Sequence, residues 1–213
     1  MTKIQPPRLP KGLPAETLTQ LEDHQEYAAI AVSGCDLTGQ SASGVLFEEI
    51  SLKSTGFTGS RLPGLRLLDA RLSGCDLSGA FLEEARFRRV EFTGCRLLGV
   101  QLASVQLDDV RFKDCNLEGA VFVASQAKAL HFDNCMLRAV TFEGANLDGA
   151  IFRDCDLTNA DLRNASLKQA DLRRSKLDEL GVFPQDMQRA IISPAQAVQV
   201  AGLLGVTVMD EEL

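Results

Sequence analysis

Residues 75–99 read CDLSG AFLEE ARFRR VEFTG CRLLG, five groups of five in which the third residue is always Leu or Phe. The register continues in both directions from this stretch. Stepping by five from Leu37 to Leu177 gives Leu or Phe at every position except Ala42 and Ala127. The residue two places before each of these is usually small or β-branched, and the remaining three positions carry most of the charge. A fixed period of this kind predicts a repeat architecture.

The period of five fits neither the 3.6 residues of a helical turn nor the two-residue alternation of a strand. Each group is therefore predicted to form one short extended segment followed by a turn, with two side chains pointing inward and three outward. Glycine is frequent two residues after the Leu or Phe, where a turn with positive φ favours it. Each group then forms one side of a polygon.

The number of sides follows from residues that repeat over a longer distance. All six cysteines occupy the small inward position, and those from Cys75 to Cys155 recur every 20 residues. The same spacing separates the central residues Phe92, Phe112, Phe132 and Phe152. Like residues that stack on like indicate a coil of 20 residues, and hence four sides.

Three groups resemble the motif of the pentapeptide-repeat family, which reads small, Asp or Asn, Leu or Phe, Ser, Thr or Arg, then Gly. They are CDLTG at 35–39, CDLSG at 75–79 and ADLRN at 160–164, and the resemblance covers residues 33–179. It implies an all-β fold, a right-handed, four-sided parallel β-helix of about seven coils. The segment from Gln196 to Val206 is also similar to the C-terminal ends of members that bind DNA gyrase by imitating duplex DNA and so confer quinolone or toxin resistance. The chain departs from them in its long terminal segments and lacks the loops that some of them insert between coils.

We predict three regions: an N-terminal arm and capping helix over 1–32, the β-helix over 33–180, and a C-terminal helix and strand over 181–213. Leu18 and Leu21 lie at helical spacing before the first coil, so short helical caps are expected at both ends. Ser193-Pro194 reads as a helix start and Gly205 as its stop, with a strand over 206–208. The helix face listed next would either cap the last coil or form an end-to-end homodimer: Ala197, Val200, Ala201 and Leu204.

The side chains that usually carry chemistry suggest no reaction. Equivalent cysteines on successive coils would lie parallel, about 4.8 Å apart, which suits neither a disulfide nor a tetrahedral zinc site. His24 and His131 have no nucleophile or carboxylate pattern near them. No phosphate-binding or metalloprotease motif is present, and a solid core leaves no room for a substrate. We therefore expect a protein that is not an enzyme and has no catalytic, cofactor or metal site.

The charge of the chain limits its partners. The net charge of −7 and pI of 4.9 argue against direct binding to nucleic acid. No signal sequence or transmembrane run is evident, and the free thiols suit a reducing compartment, so a cytoplasmic location is expected. Sorting by the 20-residue period gives one acidic half of the rod, made of the cysteine side and the side after it. Its candidate partner-binding residues are Asp36, Asp76, Glu83, Glu84, Glu118, Glu143, Asp156 and Asp161.

Two functions stay open at this point. The acidic half could mimic part of a DNA duplex and bind a type II topoisomerase, DNA gyrase. Mimicry by the whole rod is not supported, because residues 33–179 contain 21 acidic and 18 basic residues, whereas about 35 Å of duplex carries about 20 negative charges. Alternatively, the chain is a general protein-interaction scaffold with a different partner, which could use an outward apolar cluster of Phe81, Val121 and Val123.

Overall fold

The computed structural model describes residues 3–203 and 205–209 of the chain. Its described part contains short parallel strands and one helix. The strands are β1 (Ala15–Glu16), β2 (Glu26–Ala28), β3 (Ala31–Ser33), β4 (Leu46–Glu48), β5 (Ser51–Lys53), β6 (Arg66–Ser73), β7 (Arg86–Thr93), β8 (Gln106–Lys113), β9 (Gln126–Asp133) and β10 (Ile151–Arg153), and the helix is α1 (Pro194–Leu203).

The strands pair in parallel with a constant offset of one coil. Phe92 pairs with Phe112, Phe112 with Phe132, and Phe132 with Phe152. The sides without regular strands keep the same offset through isolated bridges, such as Asp76 with Arg96. The predicted coil of 20 residues and the parallel β-solenoid are thus confirmed, with about seven turns. The ladder extends slightly past 33–180, from β1 to a bridge between Asp171 and Ile191.

We number the four faces by their central inward residues on one coil: face one at Leu77, face two at Leu82, face three at Phe87 and face four at Phe92. Strands β6 to β9 each run across faces three and four, whereas faces one and two are joined by single bridges. Hydrogen bonds between coils nevertheless form on every face. On face one, for example, the amide of Leu77 donates to the carbonyl of Arg96 at 2.7 Å.

The chain turns at every fifth residue. Each fifth residue from His24 to Glu179 has a positive φ, whether or not it is glycine. Arg89 and Ala129 adopt φ of 53° and 57°, in a region that costs an L-residue roughly 1–2 kcal/mol. Because the neighbouring residues are held in the ladder on both sides, the period of the coil prevails over the local preference. Glycine is favoured at these turns but is not required.

The core is a solid column of stacked side chains. Phe92, Phe112, Phe132 and Phe152 lie one above another on face four, with ring centroids 4.7 Å, 5.1 Å and 5.1 Å apart. Phe122 and Phe142 form a second stack on face two at 5.0 Å and meet the first stack edge to face. Stacked and edge-to-face rings each add about 0.5–1.5 kcal/mol beyond their buried area.

The six cysteines are all buried and free. From Cys75 to Cys155 each thiol donates to the carbonyl of the residue 23 positions earlier, as from Cys135 Sγ to Phe112 O at 3.4 Å. Ser175 continues this column and its hydroxyl donates to Phe152 O at 3.1 Å. The hydrogen bond with Cys115, together with burial, raises the pKa of the Cys95 thiol to about 12. The thiols therefore pack as small, protonated core groups.

The expected N-terminal capping helix is absent from the described residues. Ala15 and Glu16 instead form β1, which pairs with Ala31 and Val32, and the residues that follow are extended. Leu18 and Leu21 are buried over the first coil as predicted, but the Gln40 side chain holds their backbone. It accepts from the Leu21 amide at 2.7 Å and donates to the Thr19 carbonyl at 2.9 Å. Backbone pairing with the first coil thus takes the place of helical hydrogen bonds.

Helix α1 covers the other end of the column. Ser193 and Gln196 form a reciprocal capping box, with Ser193 N to Gln196 Oε1 at 2.8 Å and Gln196 N to Ser193 Oγ at 3.3 Å. The Gln196 amide also donates to the carbonyls of Leu172 and Ser175, both at 2.7 Å, and so satisfies acceptors of the last coil. Gly205 ends the helix with a φ of 77°.

The strand expected over 206–208 does not form, and these residues are exposed. In the described part of the chain, no helix has the length and apolarity to cross a membrane.

Candidate partner-binding surface

The acidic half consists of faces one and two, and its aspartates have a structural role. Asp36, Asp76, Asp156 and Asp161 each lie just before a central Leu, and each Oδ1 accepts the backbone amide two residues further on, at 2.9–3.1 Å. Asn116 does the same at 3.0 Å. These Asx turns explain why the motif prefers Asp or Asn at this position. Half of the predicted binding residues therefore also stabilise the turns.

The same aspartates are largely neutralised by basic neighbours. Asp161 pairs with Arg163 at 2.6 Å, and Asp76 with Arg96 at 3.7 Å. Asp156 lies 3.6 Å from both Arg138 and Lys176, which come from the coils before and after it. Because the charges cancel within the face, these aspartates contribute little to a long-range negative field.

The four glutamates of the predicted surface differ from these aspartates. Glu84, Glu118 and Glu143 are exposed and Glu83 is half-buried, and none has an ion pair within 4.0 Å among residues 3–203 and 205–209. Glu83 and Glu143 occupy the same column three coils apart, about 14 Å along the axis, and Ala103 and Val123 lie between them. We call these four residues the glutamate quartet. Its spacing gives separate negative points rather than a phosphate-like row.

The opposite half, faces three and four, carries more basic residues, most of which are paired. Arg111 and Asp133 are 2.7 Å apart, Arg173 and Asp171 2.7 Å, and Arg174 and Asp154 2.8 Å. Sequence reasoning missed one further pair: Asp69 and Arg89, joined by two hydrogen bonds and almost fully buried at the corner between these faces. Its only signal was two opposite charges one coil apart at a turn position.

The predicted apolar cluster on face two is not an exposed patch. Phe81, Val121 and Val123 are all only half-exposed, and Phe81 is separated from Val121 by Gln101 on the coil between them. The guanidinium of Arg61 lies 4.1 Å from the centre of the Phe81 ring, a cation–π contact that covers it.

The C-terminal residues predicted as a cap or dimer contact are divided by the structure. Val200 is buried, Ala201 is half-buried and Ala197 is exposed, while Leu204 lies outside the described residues. The face that packs on the last coil is set by Gln196 and Val200, four residues apart, rather than by Ala197. Beyond the helix, Val206 and Met209 remain 56% and 83% exposed.

The interior has no space for a substrate. The largest void described among the core residues Phe47, Phe57, Leu65 and Leu67 measures about 10 Å³, roughly the minimum that would admit one water molecule. Within the described ranges, no three His, Cys, Asp or Glu side chains are grouped so that they could hold a metal ion. The chemistry that this arrangement offers is surface recognition.

The Asx turns make stability depend on acid. Hydrogen bonds from Thr38 lower the pKa of Asp36, and those from Arg163 and Arg173 lower the pKa of Asp161 and Asp171. A folded-state pKa below the unfolded value of about 3.9 means that the native state binds the proton less readily. The stabilisation is complete above about pH 4 and is lost as pH falls through the folded-state pKa. We expect the free energy of unfolding to decline from pH 4 toward pH 2.

Urea unfolding at pH 7, 4 and 2.5 measures this decline. Replacing Asp36, Asp161 and Asp171 by Asn keeps the turn, as Asn116 and Asn146 show in the native chain, but removes the titration. The variant should lose less stability between pH 4 and pH 2.5 than the wild type. Equal losses in the two proteins would show that the turns do not cause the acid sensitivity.

The comparisons with known proteins follow from this geometry. The model of the pentapeptide repeat region matches residues 65–128 and 105–181, which together cover more than half of the chain. The chain belongs to the pentapeptide-repeat family. Among curated proteins, none matches the sequence significantly.

Several solved structures are similar to it. A trypsin-treated form of QnrB1, a plasmid-mediated fluoroquinolone resistance protein, has 22% identity and a TM-score of 0.43, over 92% of this chain and 100% of that chain. HetL, a pentapeptide repeat protein involved in heterocyst differentiation regulation in Nostoc sp. strain PCC 7120, has 18% identity and a TM-score of 0.41, over 85% and 87%. Identities this low bear on the fold alone.

Proposed function

We propose that this chain is a non-catalytic, protein-binding solenoid whose recognition surface is the acidic half. The observation that carries the proposal is the glutamate quartet: Glu83, Glu84, Glu118 and Glu143 are the predicted surface residues without a basic neighbour in ion-pair range. A partner with a basic surface would complete their charge. Complementary charges of this kind steer association and select the partner.

The most specific candidate partner is a type II topoisomerase, DNA gyrase, whose DNA-binding surface is basic because it must neutralise phosphates. The acidic half would then occupy part of that surface as a partial DNA mimic. Three features support this candidate: the one-sided charge, the uninterrupted rod, and the resemblance of the C-terminal segment to gyrase-binding family members. The free buried thiols also support a cytoplasmic location for the encounter.

A supercoiling assay tests the partner. Purified protein added to gyrase and relaxed plasmid at micromolar concentration should change the rate of supercoiling, or reduce the inhibition caused by a quinolone, by about tenfold at saturation. Bovine serum albumin at the same concentration controls for nonspecific protein effects. Unchanged supercoiling with and without the quinolone would remove gyrase as the partner.

The alternative is a scaffold for an unrelated protein. The cluster of Phe81, Val121 and Val123 supports it less than expected, because Arg61 covers Phe81 and the three side chains are half-buried. The apolar surplus at the C-terminus suits a homodimer, and exposed Val198, Val206, Val208 and Met209 would lie in its interface. Sedimentation at several protein concentrations would reveal such a dimer.

A further inference from the structure

Residues 3–14, the N-terminal arm, lie along the outside of the solenoid. The arm leaves the first coil where the Pro14 carbonyl accepts the Ala31 amide at 2.8 Å. It then crosses successive coils at the corner between faces three and four. The backbone amide of Arg8 donates to Asp69 Oδ1 at 2.9 Å, and that of Gln5 donates to Asp109 Oδ1 at 3.0 Å.

The corner beneath the arm is a column of charged turn residues on successive coils, Asp69, Arg89 and Asp109. Arg89 Nε donates to Asp69 Oδ1 at 2.6 Å, and both side chains are at most 10% exposed. Burial opposes the ionisation of Asp69, but hydrogen bonds from Arg89 and the Arg8 amide outweigh it and lower the pKa of Asp69. The column therefore presents fixed carboxylates to the arm. We call it the corner strip.

The spacing of the strip matches one backbone conformation. Asp69 and Asp109 are two coils apart, about 9.6 Å along the axis. Three residues of polyproline II helix advance about 9.3 Å and complete one turn, which is the separation between Gln5 and Arg8. Pro6 and Pro7 occupy the intervening positions, where they favour this conformation and have no amide of their own to satisfy. The strip thus fits two amides three residues apart in a polyproline II segment.

The arm is held much more weakly than the coils. The ladder of β6 to β9 is complete without it, since each strand pairs with its two neighbours. In the arm itself Gln5, Pro6 and Arg8 are exposed, and only Ile4 and Pro7 are half-buried, near Val90 and Arg111. The contacts to Asp69 and Asp109 come from the backbone, so they would accept another sequence of the same conformation. Segments with few buried contacts open locally at low free-energy cost.

We propose that the corner strip is a binding site for extended, proline-containing segments of a partner protein, and that the N-terminal arm occupies it in the free protein as a displaceable internal competitor. The partner segment must offer two backbone amides three residues apart with polyproline II geometry between them. Displacement of the arm would free residues 3–12 and leave the solenoid intact.

Peptide binding tests the proposal in the full-length chain. The probe is a fluorescent peptide of residues 3–12, KIQPPRLPKG, and the variant is Pro6→Gly/Pro7→Gly, which loosens the arm without shortening it. Because the attached arm competes at a high effective concentration, the probe should bind the variant about tenfold more tightly than the wild type. Adding Asp109→Ala should abolish that gain. Asp108→Ala, an exposed carboxylate one residue away, should leave it unchanged.

Hydrogen exchange of the wild type gives a second measurement that does not depend on the variants. The Gln5 and Arg8 amides should be protected, yet exchange at least tenfold faster than the core amides of β7. Exchange of these two amides only on global unfolding would overturn the proposal, as would failure of the probe to bind the loosened variant. A wild-type dimer that dissociates in that variant would assign the strip to the arm of a second copy, which would also overturn it.

Discussion

Replacing Phe132 by Ala is expected to cost about 3–5 kcal/mol of unfolding free energy, the range for removing a large aromatic side chain from a packed core. Phe132 is fully buried and stands at the centre of the column. It stacks on Phe112 and Phe152, both at 5.1 Å, and meets Phe122 and Phe142 edge to face at 6.3 Å and 6.0 Å. No other ring is positioned to fill the space, because each neighbour is fixed by its own coil.

Urea unfolding followed by circular dichroism measures this loss. In a solenoid each coil contacts only its neighbours, so a weak coil in the middle should also broaden the transition or divide it in two. Phe183→Ala is the matched control, since Phe183 is 40% exposed and lies outside the stacks, and it should cost less than about 1 kcal/mol. Similar losses for the two variants would mean that the stacked rings do not support the column.

The four-sided column could be predicted from the sequence because its core repeats in one register. A single inward position, from Leu37 to Leu177, gives the register of every face, and the recurrence of cysteine and phenylalanine gives the number of faces. In a parallel stack each side chain meets its own equivalent on the next coil, so one-dimensional spacing becomes three-dimensional contact. Few folds translate so directly.

The ends of the chain could not be predicted in the same way. Leu18 and Leu21 are three residues apart, and one such spacing over a short segment cannot distinguish a helical turn from two extended residues that both reach the core. The deciding contact, from the Leu21 amide to Gln40, gives no local signal. The arm is a stronger case, because Gln5 contacts Asp109 across more than 100 residues of sequence.

The acidic surface was located correctly as a group of residues but not in its chemistry. Residue identity cannot show which carboxylates are used internally, and Asp36, Asp76, Asp156 and Asp161 accept backbone amides in turns. Their position before the central Leu was a signal that could have separated them from the glutamates. Binding to a basic partner therefore rests on the glutamate quartet.

Charge reversal of that quartet is expected to have the largest effect on function. Replacing Glu83, Glu84, Glu118 and Glu143 by Lys puts like charges against a basic partner, which costs several kcal/mol. We expect binding to gyrase to weaken about hundredfold, or about 2.8 kcal/mol. The side chains point outward, so the stability of the column should change little.

The control for this variant carries the same change of charge elsewhere. Replacing Glu26, Glu48, Glu49 and Asp108 by Lys alters four acidic residues of face three, none of which has an ion pair in the described part of the chain. Any effect of net charge alone should appear equally in both variants. An effect of the acidic half should appear only in the first.

The affinity of purified gyrase for the wild type and these two variants, measured at physiological ionic strength, tests the central claim most directly. The account predicts affinity lost about hundredfold with the quartet variant and retained within about threefold with the face-three variant. Equal affinity for all three proteins, or equal loss in both variants, would contradict the assignment of the acidic half as the recognition surface.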